Sequence, residues 1–254
     1  MLLNYKTYGD SGKAVFILHG IFGMLDNWHL IAKALSETYR VFTLDARNHG
    51  GSGHTDDMSY QLMAEDVIEL ADHLQIDSFI LIGHSMGGKT AMWTAHQFPD
   101  RIEKLVVVDI APKAYKPGHQ VYFNAFKNIA WETLQSRKDV DDALMVYETD
   151  PGVRLFLAKN IERRDGGGFM VKSNIEALSK SYDEIIGPLD FSKPYSGPVL
   201  FILGDRSNYL SEHDKPYIKT WFPKAEFAIV ADAGHWVHAD NPREFLEKLK
   251  PFLV

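Results

Sequence analysis

The sequence predicts an α/β fold, a mostly parallel, doubly wound sheet with a helical segment inserted between two late strands. Two observations predict it. Short, uninterrupted apolar runs alternate with stretches whose apolar residues recur at helical spacing, the pattern of parallel strands covered on both faces and joined by crossover helices. Between residues 112 and 187 that alternation lapses, and it resumes afterwards.

The elements follow in order. Met1 to Gly9 reads as a short strand, and the turn Gly9-Asp10-Ser11-Gly12 leads to the apolar run Ala14–Leu18, a buried strand. Asp26 or Asn27 is expected to cap a helix through Trp28, Ile31 and Leu35, and Arg40–Asp45 is the next strand. After the glycine-rich loop Arg47–Gly53, the apolar positions Leu62, Met63, Val67, Leu70 and Leu74 mark one face of a helix that starts near Ser59. The strand Ile80–Ile82 follows, then a helix through Ala91–Phe98 that Pro99 stops, then the strand Leu105–Asp109. Within the lapse, helical patterns surround Tyr122–Ile129 and Ala143–Tyr147, and Gly166-Gly167-Gly168 breaks the chain. Pro198–Gly204 restores the strand pattern, followed by a helix at Lys215–Trp221, a strand at Glu226–Val230 and an amphipathic helix at Pro242–Leu253. We read residues 1–111 and 188–254 as one core and 112–187 as a helical cap inserted into it.

Composition narrows the chemistry. With 254 residues, 45% of them hydrophobic, the chain can bury one large core. Lys and Arg number 27 against 34 Asp and Glu, a formal charge of −7, and no basic cluster follows a phosphate backbone, so nucleic acid is not an expected partner. There is no cysteine, which excludes a disulfide and a thiolate nucleophile. No apolar run reaches membrane-spanning length and none resembles a secretory leader, so stable membrane insertion is not expected and a cytoplasmic location is. The histidines show no metal-ligand spacing, and no metal or other cofactor is expected.

The chemical signal is Gly83-His84-Ser85-Met86-Gly87, placed between an apolar strand and a helix-forming stretch. In such a nucleophile elbow the serine sits on a sharp turn that tolerates only small neighbours, and the backbone N–H of Met86 is left free at a helix start, where negative charge is favoured. Serine needs a base, and the base needs an acid to set its tautomer. His235, in Asp232-Ala233-Gly234-His235-Trp236 just after the last strand, is the expected base, with Gly234 letting the loop bend. His238 belongs either to the site's surface or to the start of the following helix. Asp109 and Asp205 both end strands and both fit the chain order Ser, Asp, His, so the residues alone leave the acid open.

Five motifs in order carry a family resemblance across nearly the whole chain: His19-Gly20-Ile21-Phe22-Gly23, Asp45-Ala46-Arg47-Asn48-His49-Gly50, Gly83-His84-Ser85-Met86-Gly87-Gly88, Val108-Asp109-Ile110-Ala111-Pro112 and Gly234-His235-Trp236. Together they resemble the α/β-hydrolases, and more narrowly the bacterial YbfF-type esterases and related abhydrolase-domain proteins. Most α/β-hydrolases place the acid three residues after the glycine that ends the late strand; counted from Gly204, that position holds Ser207. The resemblance therefore implies Asp109 as the acid, with Ser207 as an auxiliary hydroxyl or an ordinary turn residue. It also implies Ile21 as the second oxyanion donor, with Phe22 the one-residue alternative, and His19, His49 and His84 as structural. Phe22, Trp28, Met86, Tyr122, Phe123, Phe126 and Trp236 are candidates for an acyl pocket. The expected function is a serine carboxylesterase acting through an acyl-enzyme on a small-molecule ester or acyl thioester such as an acyl-CoA. Other cofactor-free reactions of the same scaffold (C–C hydrolysis, a lyase step, perhydrolysis) and a ligand-binding receptor with little turnover stay as alternatives.

Overall fold

The computed structural model describes residues 1–254. Strands β1 (Tyr5–Tyr8) and β2 (Ala14–Leu18) precede helix α1 (His29–Leu35), and β3 (Arg40–Leu44) precedes α2 (Tyr60–His73). Strand β4 (Phe79–His84) turns into α3 (Met86–Gln97), and β5 (Ile102–Val108) follows. The next stretch holds α4 (Gln120–Asn128), α5 (Arg137–Met145), α6 (Pro151–Ala158), a hairpin of β6 (Ile161–Arg163) and β7 (Phe169–Val171), α7 (Ile175–Lys180) and α8 (Tyr182–Ile186). Then come β8 (Val199–Gly204), α9 (Lys215–Trp221), β9 (Ala225–Val230), α10 (Val237–Asp240) and α11 (Pro242–Leu253).

The main sheet has seven strands in the order β1-β3-β2-β4-β5-β8-β9. Only β1 pairs antiparallel; every other pairing is parallel. Alternate residues of each central strand enter different cores, which is why those strands are continuous apolar runs. Val15, Ile17, Ile80, Ile82, Val106 and Val108 pack with Ile31 and Leu35 of α1 and with Phe245 and Leu249 of α11. Phe16, Leu18, Phe79, Leu81, Leu105 and Val107 face the other way, onto Met63 and Val67 of α2 and Met92 of α3. Phe123, Leu144, Leu157 and Phe169 from residues 112–187 join this second core, so the inserted stretch is packed onto the sheet's helix layer.

Local signals explain most boundaries. The Ser59 hydroxyl accepts from the Leu62 N–H at the start of α2, Asn241 does the same for Glu244 at the start of α11, and Pro99 follows the end of α3. Near Trp28 the expectation needs correcting. A 3₁₀ turn, Leu25–Trp28, precedes α1, and Asn27 reaches back to the Met24 N–H at 2.6 Å instead of capping forward. The Gly166-Gly167-Gly168 break is the turn of the β6–β7 hairpin, and all three glycines have positive φ. That hairpin and α6–α8 had no periodic signal.

Candidate active site

The carboxyl ends of β2, β4, β5, β8 and β9 meet at one edge of the sheet, where open parallel sheets gather their ligands. Ser85 follows β4 in a strained conformation, φ 54° and ψ −119°. Space enforces the glycines around it. A Cβ on Gly83 would stand 2.1 Å from the Gly87 carbonyl oxygen, and one on Gly87 would stand 2.5 Å from that of His19. The elbow is thus wedged between its own helix and the end of β2.

His235 lies on the loop after β9, and its Nδ1–H donates to Asp109 Oδ2 at 2.7 Å. Asp109, wholly buried after β5, also accepts from the Ser207 hydroxyl on Oδ2 and from the Gly204 N–H on Oδ1 at 3.4 Å. Burial pushes its carboxyl up to about 7, while Ser207 and Gly204 pull it back toward the charged form. Burial likewise holds the His235 imidazole down, at about 3, so the ring is neutral at rest. Taken singly, those values would leave His235 neutral and Asp109 only about half charged near neutrality. Three donors converge on Asp109, however, and a protonated acid would have to aim its own proton at one of them; the hydrogen bonds therefore favour the carboxylate. With Nδ1 protonated, Nε2 of His235 carries the free lone pair.

Two rings hold that imidazole. Tyr209 stacks on it with centroids 3.6 Å apart, and His84, 4.6 Å away on ring centroids, donates from Nε2 to the His235 carbonyl at 2.8 Å. Sequence reasoning left Tyr209 out, although it stands two residues after Ser207. Asp205 is exposed and accepts from the Ala233 N–H at 3.1 Å, so it braces the loop and does not touch His235. Gly234 has an ordinary φ and room for a Cβ; the loop's positive φ belongs to Asp232, at 56°.

The loop after β2 is held by two histidines. His19 accepts from the Ala46 N–H on Nε2 and meets the Gly20 carbonyl through Nδ1; His49 accepts from the Phe22 N–H at 3.3 Å on Nε2 and meets the Arg47 carbonyl through Nδ1. Both roles require the neutral Nδ1–H tautomer, and burial lowers both pKa values, that of His49 to about 3. His49 takes the Phe22 N–H and the Gly20 carbonyl takes the Gly23 N–H, while the Ile21 N–H is left without an acceptor in the chain. Met86 opens α3, and its N–H has no intrahelical acceptor.

Ser85 and His235 both line a crevice of about 190 Å³, with Phe22, Tyr122 and Trp236 among its walls. No direct hydrogen bond joins the serine hydroxyl to the imidazole, a looseness common in ligand-free sites. Across Gly20, His84, Val153, Phe156, His235 and Trp236 the crevice adjoins an open cleft of about 640 Å³. At Ile21, Ser85, Gly118, His119 and Tyr209 the crevice also borders a cavity of about 90 Å³. Three pocket candidates fall elsewhere. Phe126 is buried behind Phe22, with ring centroids 5.3 Å apart, and lines neither the crevice nor the cavity beside it. Trp28 is fully buried and stacks on His238 at 3.9 Å, against the wall of the open cleft, because both rings belong to the core beneath the loops. Phe123 is also fully buried and packs edge-on against Phe22 at 5.0 Å, behind the crevice. His238 is thus buried and lines the open cleft but not the crevice.

A family model described as the alpha/beta hydrolase fold matches residues 13–242. The chain belongs to the α/β-hydrolase family. Among its relatives, the mouse sn-1-specific diacylglycerol lipase ABHD11 is 40% identical over 249 residues, 95% of this chain and 81% of the relative. Esterase YbfF of Escherichia coli is 35% identical, over 96% of this chain and 94% of the relative. A solved marine microorganism esterase superposes on this α/β-hydrolase with a TM-score of 0.96 at 40% identity, each chain covered to 99%. The expected fold and the enzyme class, a hydrolase, stand on these matches, as does the likeness to YbfF-type proteins. No helix of the structure is long and apolar enough to cross a membrane.

Proposed function

We propose that this α/β-hydrolase is a serine carboxylesterase that works through an acyl-enzyme. Ser85 Oγ attacks the ester carbonyl as His235 Nε2 takes its proton, and the Asp109 carboxylate supports the imidazolium that forms. The negative charge gathering on the carbonyl oxygen is met by the N–H groups of Ile21 and Met86. His235 then passes the proton to the departing alkoxide, leaving acyl-Ser85, and a water activated by the same imidazole completes the cycle. Ser207 acts on Asp109, keeping it charged in a dry setting.

The observation that carries this reading is the 2.7 Å contact between His235 Nδ1 and Asp109 Oδ2 at the crevice that Ser85 also lines. Relatives named as an esterase and a diacylglycerol lipase support the carboxylic ester as the bond cleaved. The leaving group is protonated by His235, and His235 but not Ser85 lines the 640 Å³ cleft, so the bulky part of the substrate is an alcohol or thiol lying there. Residues 112–187 form the cap over that site: Phe156 and Val153 from α6 line both the crevice and the cleft.

A panel of p-nitrophenyl esters, paired with labelling by a serine-directed fluorophosphonate, tests the proposal. Wild type should hydrolyse the esters and take the label; Ser85→Ala should do neither. Equal labelling of both would remove Ser85 from the mechanism.

A further inference from the structure

Lys89 lies one helical turn beyond Ser85 in α3, and only 1% of it is exposed. Most buried lysines have a carboxylate partner, because an isolated buried cation is costly. No ion pair includes Lys89; its ammonium instead donates to the carbonyls of Ile186, at 3.4 Å, and Gly187, at the end of α8. An ammonium has three N–H donors, so one remains. Around it stand aromatic faces: the Nζ is 5.0 Å from the centre of the Tyr115 ring and 5.9 Å from that of Tyr60. The hydroxyls of those tyrosines are already committed, to the carbonyls of Tyr209 at 2.8 Å and Ile185 at 2.6 Å. Burial alone pulls the Lys89 ammonium down to about 7.

Lys89 and Ser85 line the same cavity, the one of about 90 Å³, together with Ile21, Met86 and Lys116, and no acidic side chain lines it. Ser85 lines it and His235, which protonates the leaving group, does not, so of the spaces reached by the nucleophile this one suits the acyl part. Its volume admits a chain of a few carbons.

We propose that this cavity is the acyl subsite and that it selects short acyl groups ending in a carboxylate, which Lys89 receives. The inference rests on the esterase reading above and adds the class of acyl group. A dicarboxylic half-ester would present its carbonyl to Ser85 and its free carboxylate to the lysine, supplying the counter-charge the fold omits.

Three benzyl esters of matched length test it: monobenzyl succinate, benzyl succinamate, in which an amide replaces the carboxylate, and benzyl butyrate, in which a methyl does. A charge-assisted hydrogen bond is worth about tenfold to a hundredfold. Wild type should therefore show kcat/KM for the succinate about tenfold or more above both neutral esters. In Lys89→Met that ratio should collapse, mainly through a rise in KM for the succinate. If all three esters lose activity in parallel in Lys89→Met, the lysine only anchors α8 and the proposal falls. Wild type alone decides the matter should the variant not fold: equal or faster turnover of the butyrate overturns the acyl assignment while leaving the esterase reading intact. Failure to cleave any of the three while p-nitrophenyl esters are still hydrolysed overturns the acyl assignment alone; failure on both sets defeats the esterase reading itself.

Discussion

Protonating His49 should release the loop that carries Ile21. The imidazole accepts the Phe22 N–H on Nε2, a bond that a protonated ring cannot make, and burial lowers its pKa from 6.5 to about 3. In the unfolded chain the ring takes up its proton near 6.5, in the native chain not until far lower. Between those values the unfolded state binds the extra proton, so stability falls with pH. From about pH 7 to about pH 5.5 the loss due to this one ring is about 1.2 kcal/mol, and it grows to about 4–5 kcal/mol by pH 3. His49→Gln keeps an acceptor and a donor on a side chain of similar reach but does not titrate. Urea unfolding of wild type and variant at a series of pH values should give curves that converge on acidification, their difference shrinking by about 1.2 kcal/mol over that first interval. His19, His84 and His238 are lowered by burial too, and they steepen both curves alike. Parallel curves would mean that His49 titrates inside the fold, and would refute the argument that a neutral ring holds the loop.

Other changes separate the roles of neighbouring groups. Asp109→Asn should lower kcat by about 10⁴-fold, the scale of a mis-set tautomer, whereas Asp205→Asn should cost far less; the reverse order in a p-nitrophenyl acetate assay would transfer the orienting role to Asp205. Ser207→Ala removes a donor that keeps Asp109 charged, so kcat should fall by about tenfold or more while the melting temperature moves little; unchanged kcat would make Ser207 a turn residue only. Arg47 is buried and pairs with Asp66 through Nε and Nη2 at 2.7 and 2.8 Å. Asp66→Ala should therefore cost about 3–5 kcal/mol in urea unfolding, since it leaves a guanidinium without counter-charge, and a cost below about 1 kcal/mol would contradict the pairing.

Residue pattern made the sheet and its helices legible because each central strand is buried on both faces and each helix on one. The nucleophile was legible for a different reason: the glycines at 83 and 87 are demanded by backbone contacts of 2.1 and 2.5 Å, so the local sequence has few alternatives. The acid was not. Asp109 and Asp205 end adjacent strands, and what distinguishes them is the direction each side chain takes, inward under the imidazole or outward to the Ala233 N–H. Tyr209 was missed because its stacking partner lies on a loop 26 positions away in the chain, from 209 to 235, and loops carry no period. Lys89 escaped notice because a lysine on a helix reads as a solvated residue; its burial arises only when α8 closes over it.

One further regularity links these cases. Phe22 after β2, Asn48 after β3, Ser85 after β4, Asp109 after β5 and Asp232 after β9 all have positive φ, between 51° and 65°, where glycine would be the unstrained choice. Each such residue costs about 1–3 kcal/mol and persists only where its surroundings over-determine it. A parallel sheet delivers its strands to this edge pointing outward, and a left-handed residue bends the chain sharply as it leaves. At positions 85 and 109 a glycine would relieve the strain and remove the hydroxyl or the carboxylate, so the strain remains where the side chain is needed. That is also why propensity fails at this edge. The conformation there is imposed by packing from elsewhere in the fold, by the wedge between α3 and β2 at Ser85 and by the donors from the β8 end at Asp109. Glycine at Asp232, which makes no contact with the crevice, should by the same reasoning stabilise the protein, while glycine at Asp109 should abolish the function proposed for it.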